Sequence, residues 1–201
     1  MRIHRSVWIA RLSRGATASA VLSTLAALLL AGCGGAVSVI SEGDDSSLML
    51  HGNDAVAYFT AGRAQRGRSD LKTDHRGLTY RFASEENKRQ FITNPERYAP
   101  QFGGFSAQDM ASAIPSAADA DTFKIIDGRL YLFASPRERL YFEMDQERNL
   151  KRAWHYWETE VADSANWRLQ AWKRLLFRVP HYKSNAELAE EYEKRFGRKP
   201  G

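Results

Sequence analysis

Asp127-Gly128 stands between two alternating runs, Thr122 to Ile126 and Arg129 to Phe133, and this pattern restricts the fold more than any other in the chain. Both central positions of a two-residue hairpin need positive φ, and Asp-Gly supplies it while keeping the strands in their right-handed twist. An antiparallel pair is therefore expected here. Ser135-Pro136-Arg137-Glu138 follows at once as a capping box with proline at the first helical position. The hairpin thus feeds a helix that should reach about Gln146.

A second strand-to-helix switch lies upstream. Leu78 to Phe82 alternates in the manner of a half-buried strand, after an extended segment from Asp70 to Asp74 and a turn at Arg76-Gly77. Ser84 is placed to cap a helix over Glu85 to Thr93, with Glu85 and Glu86 complementing its dipole and Pro95 ending it. Ala55 to Phe59 is a short apolar run and is expected as a buried strand. Gly103-Gly104 reads as a tight bend and Ala107 to Ser112 as a short helix. No internal repeat stands out.

From Glu147 onward the chain reads as helical, with 12 basic against 8 acidic residues and with Trp154, Trp157, Trp167 and Trp172. Trp167 to Val179 places Trp172, Leu175, Leu176 and Val179 at helical spacing, interleaved with Arg168, Lys173, Arg174 and Arg178, and Pro180 stops it. Ser184 to Glu187 is another capping box, and Gly197 closes that helix.

The N-terminus carries Arg2, Arg5, Arg11 and Arg14, then an apolar stretch from Ala16 to Ala31, the pattern of a secretory signal. It ends at Leu30-Ala31-Gly32-Cys33, which resembles the lipobox of bacterial lipoproteins. That resemblance implies cleavage before Cys33, acylation of Cys33 and attachment to a membrane. Gly34, where aspartate would signal inner-membrane retention, implies the outer membrane, facing the periplasm. Of 29 basic and 24 acidic residues, four arginines and no acid fall in residues 1–32, so the mature part holds 25 against 24. Near-neutral balance argues against nucleic acid as a partner. Cys33 is the only cysteine, so no intrachain disulfide can form. The expected organisation is a signal over 1–32, a lipidated polar tether over 33–48, a domain over 49–146 and a basic Trp-rich helical extension over 147–201.

The run His75-Arg76-Gly77-Leu78-Thr79-Tyr80-Arg81-Phe82-Ala83-Ser84, continuing to Phe91 and Pro95-Glu96-Arg97-Tyr98, resembles the YHS domain family. Gly52-Asn53-Asp54-Ala55-Val56-Ala57-Tyr58-Phe59, Gly103-Gly104-Phe105-Ser106-Ala107, Ile126 to Leu132 and Ala165-Asn166-Trp167 resemble the flanks of exported bacterial members. The resemblance implies an α+β fold, a small antiparallel sheet with packed helices, here carrying a helical C-terminal extension. It also implies a link to transition metals. The family cysteines are replaced, by Ala83, by Ser106 and near Glu86 or Asn87, so no thiolate site for Cu(I) exists outside Cys33.

A weak Cu(II) or Zn(II) site of nitrogen and oxygen ligands would use His75 and Asp54, although no His pair at helical spacing fixes it. A hydrolase would need Ser84 or Ser106 activated by His75, and there is no G-x-S-x-G elbow, so an enzyme is not expected. Two non-enzymatic functions follow. One is a small-ligand or metal-associated binding module centred on Asp54, Tyr58, His75, Tyr80, Phe105 and Ser106. The other is an interaction lipoprotein that contacts membrane or an envelope protein through Trp167, Arg168, Trp172, Lys173, Arg174 and Arg178.

Overall fold

Ser84 accepts a hydrogen bond from Asn87 N at 3.1 Å, and Ser135 accepts one from Glu138 N at 3.2 Å. Each serine joins a hairpin to a helix, as the sequence requires. The computed structural model describes residues 35–201, which form one compact unit. The signal and Cys33 lie outside the described residues.

The first hairpin pairs β3 (Arg68–His75) with β4 (Leu78–Phe82), and the helix Glu85–Thr93 follows. The second pairs β5 (Asp119–Ile126) with β6 (Arg129–Phe133), followed by the helix Pro136–Met144. β1 (Ile40–Glu42) and β2 (Asp45–Leu48) complete a four-stranded sheet in the order β1-β2-β4-β3. β2 runs parallel to β4, through Leu48 and Thr79, so the sheet is mixed and not antiparallel as expected.

The two hairpin units are halves of an internal repeat, contrary to the expectation of none. Gly77 and Gly128, Tyr80 and Tyr131, Phe82 and Phe133, Ser84 and Ser135, and Phe91 and Phe142 each stand 51 residues apart. Backbone angles agree position by position. Leu50 and Phe102 have φ of 54° and 55°, Gly52 and Gly104 have 80° and 84°, and Arg76 and Asp127 have 52° and 50°. The parallel contact Leu48–Thr79 has its counterpart in Pro100–Leu130, and the antiparallel bridge Asn53–Arg66 in Phe105–Ala117. Phe82 and Phe91 rings lie 5.3 Å apart, Phe133 and Phe142 rings 5.2 Å. Each half gathers its own aromatics into a core, one around Tyr80, Phe82 and Phe91, the other around Tyr131, Phe133 and Phe142. Burying each such ring contributes about 1.5–3 kcal/mol.

Three expectations are corrected. Ala55 to Phe59 contains the start of a short helix, Ala57–Thr60, because the Asp54 carboxylate accepts from Val56 N at 2.8 Å and Ala57 N at 3.3 Å and caps that turn. A five-residue apolar run carries no period by which to separate the two readings.

The polar stretch expected as a tether is folded from Ala36 onward. Glu42 and Asp45 are partners of Arg81, which is buried; Arg81 Nε reaches Asp45 Oδ2 at 2.8 Å, and Lys72 pairs with the other Asp45 oxygen. The Asp45 carboxyl is held below its usual range by Lys72 first and then Arg81. Ser38 N donates to Gly103 O at 2.8 Å, and a side chain on Gly103 would strike Ala36 O. The Gly-Gly bend thus admits the chain's own N-terminal segment.

Residues 147–201 are helical as expected but are not an appendage. Ala153 and Val161 belong to the second core, with Leu150, Trp154, Trp157 and Trp167 packed against it. The helices here are Gln146–Tyr156, which continues into a π-helical turn Trp157–Val161, then Trp167–Leu176 and Asn185–Phe196. Leu188 and Tyr192 of the last helix dock on Tyr141.

Candidate functional site

Asp54, the centre of the expected ligand site, is fully buried, and both its oxygens are occupied. Besides the two capping bonds, Oδ2 accepts from Ala83 N at 2.8 Å and from the Asn87 amide at 2.7 Å. It fastens the short helix to the end of β4 and leaves no lone pair directed at a ligand. His75 pairs with Leu78 at the opposite end of that hairpin. The five residue steps from Leu78 to Ala83 separate the two ends by roughly 17 Å. His75 Nε2 instead meets Glu96 Oε1 at 3.0 Å, and its ring lies edge-on to Phe91. His75 and Asp54 therefore do not form a metal site together. Among the described residues, no three His, Cys, Asp or Glu side chains gather as a metal cluster.

The remaining members of that set serve the two cores. Tyr58 donates to Ala120 O at 2.7 Å, and burial pushes its phenol above the usual range. Tyr80 stacks at 4.5 Å on Phe91 and is raised by the same cause. Phe105 packs 5.3 Å from Trp167. Ser106 donates to Glu138 Oε2 at 3.2 Å and accepts from Asp109 N.

That last contact belongs to a cluster which the sequence reading missed. Burial, more than any neighbour, raises both the Asp109 and the Glu138 carboxyls, and Asp109 adds repulsion at Glu138. The Ser116 hydroxyl donates to Asp109. The signal was available as the equivalence of Ser106 and Glu138 with Asp54 and Asn87, but it needs the repeat to be seen.

The helix Trp167–Leu176 presents the other expected surface, with its charges redistributed. Trp167 is half-buried, with the Arg168 guanidinium 4.6 Å over its ring. Lys173 reaches Glu160 Oε2 at 2.8 Å, and Arg174 pairs with the same carboxylate. Burial raises the Glu160 carboxyl, but Lys173, Gln170 and Arg174 together hold it below its usual range. Two of the four expected free cations are thus neutralised, while Arg178 lies over Tyr182 at 4.5 Å. What faces outward is apolar. Leu169, Trp172, Leu175, Leu176 and Phe177 are between 60% and 75% exposed. Leu169, Trp172 and Leu176 recur at three- and four-residue steps, one stripe of the helix. Leu175 and Phe177, the latter just past the helix end, add to this exposed apolar surface, which is of the kind that marks an interaction site.

No family model, curated protein or solved structure matches this chain. Function has to be argued from the surface itself. Among the described residues, no helix is long and apolar enough to cross a membrane.

Proposed function

We propose that this chain is a lipid-anchored, non-enzymatic envelope protein that rests on its membrane through the apolar face of the Trp167–Leu176 helix. The reading takes the outer membrane, periplasmic side, as its location and the two YHS-like halves as a scaffold. One observation carries it, the exposed stripe of Leu169, Trp172 and Leu176, with Leu175 and Phe177 exposed beside it.

Three others support it. Arg168 and Arg178 flank the stripe, as basic residues do on helices that lie among anionic headgroups. Ala36 N donates to Ala162 O at 3.3 Å, five residues before that helix begins. An acyl group on Cys33 would be only three residues from Ala36, a span of about 10 Å at full extension. Two or three acyl chains on Cys33 would already hold the protein stably, and the apolar helix would set its orientation on the surface. The repeat supports the YHS reading, since Gly128, Tyr131, Phe133, Ala134 and Ser135 reproduce Gly77, Tyr80, Phe82, Ala83 and Ser84.

Flotation with phosphatidylethanolamine/phosphatidylglycerol vesicles tests this. Protein beginning at Gly34, which lacks both the apolar N-terminal stretch and Cys33, should still float, with a blue shift in Trp emission. Adding Trp172→Asp and Leu176→Asp should abolish both signals. Equal flotation with and without those charges removes the membrane reading; crosslinking of the native face to an envelope protein would then favour a protein partner.

A further inference from the structure

The helices Pro136–Met144, Gln146–Tyr156 and Asn185–Phe196 enclose, with Gln108 and the His181–Lys183 segment, a cleft of about 130 Å³. On this measure a water takes about 10–15 Å³, so the space holds a molecule of roughly ten heavy atoms. We propose that the cleft binds a small hydroxylated phosphate monoester. The inference is independent of the membrane reading.

Charge is the first argument. Arg148, Arg152 and Lys183 line the cleft, against Asp145 and Glu191. Arg148 pairs with Asp145 at 3.2 Å and Lys183 with Glu191, while Arg195, from outside, bonds both carboxylates. Both acids are therefore satisfied by other cations. Among the described residues Arg152 has no carboxylate within ion-pair distance, and its charge disfavours protonation of His181. Arg152 and the shared Arg195 leave a surplus of two positive charges. A phosphate monoester carries about −1.5 to −2 at neutral pH, with three strong acceptor oxygens.

Unanswered hydrogen bonding is the second. Tyr141 and Gln108 line the cleft, and the Tyr141 hydroxyl and Gln108 Oε1 are buried without a partner. Tyr141 is 1% exposed, so open solvent does not satisfy it. Leaving such a group unpaired costs about 1–3 kcal/mol. A phosphate oxygen answers the phenol, and a neighbouring hydroxyl answers the Gln108 carbonyl. His181 does not compete, because its Nε2 donates to Ala111 O at 2.9 Å.

Calorimetric titration of the full chain in detergent, at fixed ionic strength in chloride, tests the site with glycerol 3-phosphate as probe. Saturable binding with one equivalent is expected. Arg152→Ala should weaken it roughly tenfold, the loss of one charge-assisted contact. Tyr141→Phe should weaken it several-fold, and Lys151→Ala, one residue away but exposed, should leave it unchanged. Arg152→Ala should melt as the native chain does without ligand, which separates lost binding from lost folding. Dihexanoyl phosphatidic acid, the same headgroup on a lipid, supports the site if its binding also needs Arg152, and tighter binding than glycerol 3-phosphate assigns the source to the bilayer. No saturable binding, or equal losses in Arg152→Ala and Lys151→Ala, overturns the proposal.

Discussion

The Asn87 side-chain amide donates to Asp54 at 2.7 Å, and in the second half the Ser106 hydroxyl donates to Glu138 at 3.2 Å, so donor and acceptor have changed places between equivalent positions. In both halves the bond ties the short helix after the left-handed turn to the helix after the hairpin. The first pair is the more heavily used, since four donors converge on Asp54.

Asp54→Ala should accordingly destabilise the protein by about 3–5 kcal/mol, a range reached when several buried donors lose one acceptor. Denaturant unfolding measures this. A cost within 1 kcal/mol would show that water replaces the carboxylate and that the site is more open than its burial indicates.

The acid pair of the second half has the opposite character. Asp109 and Glu138 bind protons more tightly in the folded state than unfolded, where their values are about 3.9 and 4.3. Their contribution is therefore fully present below about pH 4 and is lost as pH rises through the raised folded values. Asp45, held down by Lys72 and Arg81, works the other way, stabilising above its unfolded value and losing that as pH falls through the lowered one. Glu138→Gln should raise the melting temperature at neutral pH and lose the advantage toward pH 4. A pH-independent difference would mean that the carboxyl does not titrate in the way its surroundings require.

Arg81→Met removes the cation shared by Glu42 and Asp45. Breaking a buried pair from one side typically costs about 3–5 kcal/mol. Hydrogen exchange should accelerate first in β1 and β2, which Arg81 holds to the sheet. Uniform acceleration across both hairpins would contradict that local role.

Gly103→Ala tests the N-terminal strap separately. At φ of 58° and with Ala36 O in the way, an added methyl should release residues 36–38 and leave the second hairpin intact. Limited proteolysis near Val37 reads the first effect, and the Trp154–Tyr131 contact, through Trp emission, the second.

Much of the local structure was legible because its causes are local. Ser84, Ser135 and Ser184 cap helices where their spacing indicates, and Asp127-Gly128 makes its turn. The repeat is marked in the sequence by Gly77, Tyr80, Phe82, Ser84 and Phe91 recurring 51 residues on, but it is easily overlooked because other equivalent positions differ: His51 against Gly103, Arg76 against Asp127. What they share is a backbone angle, which those side chains do not announce. The tether was misread because Glu42 and Asp45 look solvated until Arg81, 36 residues beyond Asp45, is brought beneath them. The apolar stripe was half legible. Helical spacing located Trp172 and Leu176, but only Glu160 shows that Lys173 and Arg174 are turned away from it.

A chain synthesised from its N-terminus meets these contacts in the order in which its residues are made. Each hairpin and its helix close over a few tens of residues and can form as soon as they are synthesised. Ala36 cannot, because the carbonyl that receives its amide belongs to Ala162, 126 residues later. The strands of Glu42 and Asp45 wait only for β4 and its Arg81, but Ala36 is among the last residues to find its place. A chaperone that shields unpaired backbone would find its substrate there.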